Sequence, residues 1–152
     1  MALWRAGWKI FLDHPIFGVG DIDLRNYYSQ YKRPFDKEIQ GHMHNNFIHI
    51  LVTLGIFGII IFIYLLIKIF LLDLKIYEAL KNIPFFSSYA LGTIGGFAAF
   101  LFSGLTELNF GDQEIITLIW FTLGLNIAFY YHSIKGKDAD ANSVMENRKE
   151  DI

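Results

Sequence analysis

The chain of 152 residues is 53% hydrophobic, 17% aromatic and 18% charged, and it contains no cysteine. A disulfide framework and a thiolate site are therefore excluded. The formal net charge of −2 leaves no overall basic field for nucleic acid, and no nucleic-acid motif is present. A mean hydropathy of +0.34 lies within reach of a soluble domain, so the distribution of the apolar residues decides the class.

Residues 3–12 place apolar side chains at 4, 8, 11 and 12, with Arg5 and Lys9 elsewhere and Asp13 following. This predicts a short amphipathic helix suited to a membrane surface. His14-Pro15 ends it, and Gly18-Val19-Gly20 forms a turn. Asp21 then offers an N-cap for a second short helix to Tyr31, with Asp23 in its first turn. A polar connection follows from Arg33-Pro34 to Gly41, so residues 1–46 read as a structured, water-facing loop region.

Apolar runs occupy residues 47–72, 89–110 and 115–131. Each is measured against the roughly 20 residues that a helix needs to cross the hydrocarbon core; the third is at the short end. Asn45 or Asn46 caps the first, which continues as an interfacial piece towards Pro84. The second holds Gly92, Gly95, Gly96 and Gly104 for close helix packing, and the short loop after it makes the second and third helices an antiparallel hairpin. From residue 133 the tail is polar and expected to be disordered. The fold class is therefore all-α and integral to the membrane, with three transmembrane helices over 47–132. Lys68, Lys75, Lys81, Lys135 and Lys137 put one set of ends in the cytoplasm, and the Lys-free loop 109–114 lies outside with residues 1–46. Lys32, Arg33 and Lys37 run against that assignment.

The cluster Gly41-His42-Met43-His44-Asn45-Asn46 meets the first apolar helix at the water–lipid boundary. His44 has two readings: it caps an exposed helix start, or it acts as a base, since a neutral imidazole suits that task near pH 7. Gly55 is eleven positions from His44, about 20° from alignment on a helix, so Gly55 and Gly58 lie on the face below the histidine, and His49 points about 140° away. A zinc site from His42, His44 and His49 or His14 has loose spacing. Glu107 sits at or just under the interface, where a carboxylate needs water or a partner. Arg5, Lys9, Arg25, Lys32 and Arg33 are candidate phosphate contacts or solvated faces.

Trp4-Arg5-Ala6-Gly7-Trp8, Asp13-His14-Pro15-Ile16-Phe17-Gly18-Val19-Gly20, and His44-Asn45 followed by nine residues and Gly55 resemble the O-antigen ligase and polymerase family. Gly104-Leu105-Thr106-Glu107, Trp120-Phe121 and Gly124-Leu125 fit that family's C-terminal region. The resemblance runs from Leu3 to Tyr131. It implies a part of a GT-C-like fold in the bacterial inner (cytoplasmic) membrane that handles glycans carried on undecaprenyl pyrophosphate at the outer face. It also implies His44 as base for an acceptor hydroxyl, arginines on the leaving pyrophosphate, and no metal or other cofactor.

The candidate catalytic residue is thus His44, and the candidate substrate-binding residues are Asn45, His42, Arg5, Arg33 and Glu107. The expected partners are the bilayer, the lipid-linked glycan, a lipid or glycan acceptor, and the N-terminal part of a longer parent protein. Family members have roughly a dozen spans and arginines that would fall before Met1, so the chain reads as a C-terminal fragment that is inactive alone. The alternatives are a small non-catalytic membrane protein, either an assembly partner or a remnant, and a carrier with Glu107 lining its pathway.

Overall fold

The computed structural model describes residues 2–36 and 39–150, with side chains described as far as Ile134. Its elements are α1 (Ala2–Asp13), α2 (Arg25–Tyr31), α3 (Asn46–Leu80), α4 (Pro84–Ser103), a 3-10 turn (Asn109–Gly111) and α5 (Gln113–Glu150). The expected tail from residue 133 falls almost wholly on positions whose side chains lie outside the described residues. Among the described residues three segments are long and apolar enough to cross a membrane: Asn46–Leu80, Pro84–Ser103 and Gln113–Ile134.

α1 forms where expected, but the face it buries in the protein is Ala6, Gly7 and Ile10, while Trp4, Trp8 and Leu12 of the expected apolar stripe stay exposed. Ile10 joins Leu24, Met43 and Val52 in a core that ties the N-terminal region to the start of α3. Leu24 is drawn into that core, and its N–H donates to Gly41 O at 3.1 Å. α2 therefore begins later than expected. Asp23, and not Asp21, supports its start, with Oδ1 accepting from Arg25 N at 3.0 Å.

α3 is not one straight rod. Gly55 has φ 67° and ψ −161°, outside helical geometry. The rings of Phe47 and Phe62 lie 5.8 Å apart, whereas fifteen residues of straight helix would separate their backbones by about 22 Å. Residues 46–54 therefore double back on residues 56–80. The latter reach roughly 37 Å, enough to cross a hydrocarbon core about 30 Å thick. This corrects the expectation that His44 and Gly55 share one helix face, because the helical phase does not carry through the break.

Below the break, Phe62 and Leu66 pack with Phe97 and Phe100. Ile76 and Leu80 pack with Ala90 at the far end, next to the α3–α4 turn. α4 is displaced from the expected 89–109. Pro84 occupies its first turn, where a missing N–H costs nothing, and its end at Ser103 is set by side chains from elsewhere. Asn109 folds back to donate from Nδ2 to Phe100 O at 2.9 Å. Asn46 N donates to Gly104 O at 2.7 Å. Where a Cβ would sit at Gly92, Gly95 and Gly96, nothing lies within 4 Å, so the expected close packing on that face is not made among the described residues.

Candidate active site

A helix broken at Gly55 orphans backbone groups on both sides, and the turn after α1 satisfies them. Val19 N donates to Val52 O at 3.0 Å and Gly20 N to Thr53 O at 2.8 Å, while Ile56 N donates to Pro15 O at 2.9 Å. The approach is backbone on backbone. A Cβ on Gly18, itself at φ 66°, would overlap the Thr53 carbonyl, and one on Gly55 would overlap Ile16 O. The His-Pro-x-x-Gly-x-Gly turn and the His-Asn to Gly spacing are thus two halves of one clasp. It aims residues 46–54 back towards the end of α4.

A second set of contacts fixes the other end of that short helix. Asn45 Oδ1 accepts from Ile48 N at 2.9 Å as the N-cap, and its Nδ2 donates to Leu105 O at 2.6 Å. Asn46 Oδ1 accepts from Phe110 N at 3.0 Å, and its Nδ2 donates to Asn109 Oδ1. Two consecutive asparagines thereby hold residues 104–110 against the start of α3. Both are buried, so Asn45, a candidate for substrate contact, has its amide occupied by the protein.

His44 stands just before this cap at φ 44°, alone in that region among the described non-glycine residues. Such a backbone costs about 1–2 kcal/mol for an L-residue, and outliers of this kind gather at functional sites. Its Nδ1 lies 3.1 Å from Glu107 Oε2, and both side chains are substantially exposed. A carboxylate only accepts, so this contact selects the tautomer protonated at Nδ1 and leaves the Nε2 lone pair free to take a proton. The Gln40 side-chain amide lies 3.4 Å from Nε2; its oxygen accepts from Nε2 once that nitrogen has taken up a proton, and its NH2, with the amide turned over, donates to the bare lone pair. The two loops carrying His44 and Glu107 are thus one site.

His42 joins them, its ring centroid 4.1 Å from that of His44. Burial, and secondarily the neighbouring His44, pushes the His42 imidazole below its ordinary value. The arginines lie elsewhere. Arg33 pairs with Asp36, Nε to Oδ2 at 3.3 Å, and its guanidinium lies 4.9 Å from the Phe35 ring centre. That guanidinium holds the Asp36 carboxyl below the usual carboxylate range, with Arg5 contributing from a greater distance. Among the described residues, no arginine or lysine bonds to His44 or Glu107. No group of three or more acidic or histidine side chains there is arranged to hold a metal ion. Asn109 and Gln40 are contributors without a role in the sequence reading, and Asn46 enters it only as an alternative helix cap. Their signal was only polarity beside an apolar run, which capping already explained.

Residues 1–63 match the family model described as O-antigen ligase. No curated protein matches the chain. The matched segment contains the Pro15–Gly20 turn, the His44-Asn45 pair and the Gly55 break that together shape this site. Over residues 1–63 the chain is similar to the O-antigen ligase family.

Proposed function

We propose that this chain is the histidine-bearing part of a membrane glycosyltransferase that transfers or polymerises undecaprenyl-pyrophosphate-linked glycan at the outer face of the bacterial inner membrane. The observation that carries the reading is the His44 Nδ1 to Glu107 Oε2 contact of 3.1 Å, in which His44, a residue of the matched segment with a strained backbone, meets a carboxylate beyond that segment. In the reaction, the acceptor hydroxyl oxygen bonds to the anomeric carbon and His44 Nε2 takes its proton. The glycosidic bond to pyrophosphate breaks, and the pyrophosphate leaves with the electron pair. Glu107 holds the imidazole in the basic tautomer and stabilises the imidazolium that forms. The arginines that neutralise the leaving group come from outside the immediate surroundings of His44, since Arg33 pairs with Asp36 and no arginine among the described residues bonds to His44 or Glu107.

The neighbouring surface supports a lipid-linked substrate. A cavity of about 480 Å³ between α3 and α4, lined by Phe47, Leu66, Phe70, Leu101 and Leu105 among others, exposes no polar surface. It begins beside Leu105, whose carbonyl holds Asn45. The test is complementation of a deletion of this gene in its source cells. His44→Ala should lower glycan conjugate by roughly 10²–10⁴-fold at unchanged membrane abundance. Near-normal conjugate at normal abundance would overturn the catalytic role and leave a helix-capping, non-catalytic membrane protein.

A further inference from the structure

Asp21 is released from the capping role that its position suggested, and it borders a separate cleft. This cavity of about 350 Å³ is lined by Asp21, His49, Thr53, Leu54, Leu108 and Phe110, among others. The backbone clasp builds it: Gly20 N donates to Thr53 O, placing the next residue, Asp21, beside the short helix. Thr53 in turn donates from Oγ1 to His49 O at 2.8 Å, one helical turn back. The Asp21 carboxylate and the His42 imidazole both act electrostatically on His49. His49 N donates to Asn45 O at 2.9 Å, so the cleft lies one helical turn from the residue that follows His44.

The polar groups here have hydrogen-bonding capacity to spare. Nδ1 of His49 is buried without a partner, and among the described residues Asp21 makes neither an ion pair nor a side-chain hydrogen bond. The opposite wall is apolar. Leu54 and Leu108 flank Phe110, whose ring is braced edge-on against Phe62 at 5.0 Å. An apolar wall with a few convergent polar groups is the pattern of a small-ligand site, and the volume lies at the small end of the about 300–1,000 Å³ range. The carboxylate repels phosphate and accepts hydroxyl donors. A ligand with one apolar face and a hydroxyl-bearing edge fits both walls.

We infer that the Asp21–His49 cleft is a sugar subsite, taking one neutral pyranose ring of the glycan whose reaction centre is His44. The identity of the ligand rests on the glycan-transfer reading above. Asp21 accepts from ring hydroxyls and sets which sugar is tolerated; Phe110 and the leucines carry its C–H face.

The full chain in nanodiscs would be examined by saturation-transfer NMR with the methyl glycosides of glucose, galactose, mannose and N-acetylglucosamine. At least one should receive saturation, strongest on the protons of one ring face. Asp21→Ala should weaken its binding by roughly tenfold or more, the effect of a charge-assisted hydrogen bond, with an unchanged melting midpoint because Asp21 supports no contact in the fold. His44→Ala should retain binding. If the signal persists under saturating undecaprenyl-pyrophosphate-linked glycan, the ring is the acceptor's; if it is displaced, the ring is the donor's. Absence of saturation in all four glycosides, or undiminished binding in Asp21→Ala, would overturn the subsite. Normal conjugate production by His44→Ala cells alongside intact glycoside binding would instead remove the transfer reading and leave the subsite standing.

Discussion

At the scale of the residue, the determining feature is one imidazole held by a carboxylate on a backbone that an L-residue adopts at a cost. If Glu107 orients His44 as the 3.1 Å contact implies, nitrogen-15 spectra of the neutral imidazole should show Nδ1 protonated and Nε2 bare. Glu107→Ala should mix the tautomers and lower kcat with little change in KM. A wild-type Nε2–H tautomer would contradict the assignment. His42 supplies a pH-dependent prediction. Its imidazole is pushed down chiefly by burial, so as pH falls below about 6.5 the unfolded chain takes up the proton first and folded stability declines. The loss continues to the lower folded value. Between about pH 7.5 and about pH 5.5 the melting midpoint should drop more in the wild type than in His42→Gln; equal drops would refute the role of His42.

At the scale of the element, the short helix 46–54 is held at both ends by main-chain groups distant in sequence. Gly55 occupies a region of backbone space open to glycine, where another residue costs about 1–3 kcal/mol, and a Cβ there also overlaps Ile16 O. Gly20, at φ 89°, has open space around its missing side chain. Denaturation in detergent should therefore show Gly18→Ala and Gly55→Ala as markedly more destabilising than Gly20→Ala, which carries backbone strain alone. At the other end, Asn46→Ala strands the Phe110 N–H and the Asn109 amide oxygen, a loss of about 1–3 kcal/mol for each unsatisfied buried group. The segment carrying Glu107 should then become protease-sensitive and activity should fall with stability. Unchanged proteolysis would show that the asparagines do not hold that loop.

For the whole molecule, the His44–Glu107 contact places residues 1–46 and the α4–α5 connection at one end of the helices, and the Lys81–Ile83 turn at the other. With the lysines directing that turn to the cytoplasm, an impermeant thiol reagent on intact cells should label Gln113→Cys and spare Asn82→Cys and Ser143→Cys. The absence of native cysteine makes each readout clean. Labelling at Asn82 or Ser143 would invert the topology. The isolated chain, given lipid-linked glycan and an acceptor, should show no transfer, because among the described residues no cation adjoins His44 to neutralise the departing pyrophosphate. Transfer by the chain alone would show that Arg5 or Arg33 reaches the site.

What the sequence by itself determined was local in origin. The amphipathic period of α1, the capping chemistry of Asn45 and three apolar runs of spanning length each follow from neighbours within a few turns. The candidates His44, Glu107 and His42 were also legible, as costly polar groups at a helix mouth, and the structure brings these three together. Asn45 lies beside them as a structural cap, while Arg33 turns to Asp36. Tertiary structure alone decided the break at Gly55, since a glycine in an apolar run reads as a small packing residue. Breaking the helix there is tolerable only because Pro15, Val19 and Gly20, some 35 residues earlier, supply the hydrogen bonds that the break removes. The pairing of His44 with Glu107, 63 residues apart, and the early end of α4 follow from the same cause. Unsatisfied buried backbone groups are too costly to leave, and their partners are chosen by proximity in space, which no local pattern encodes.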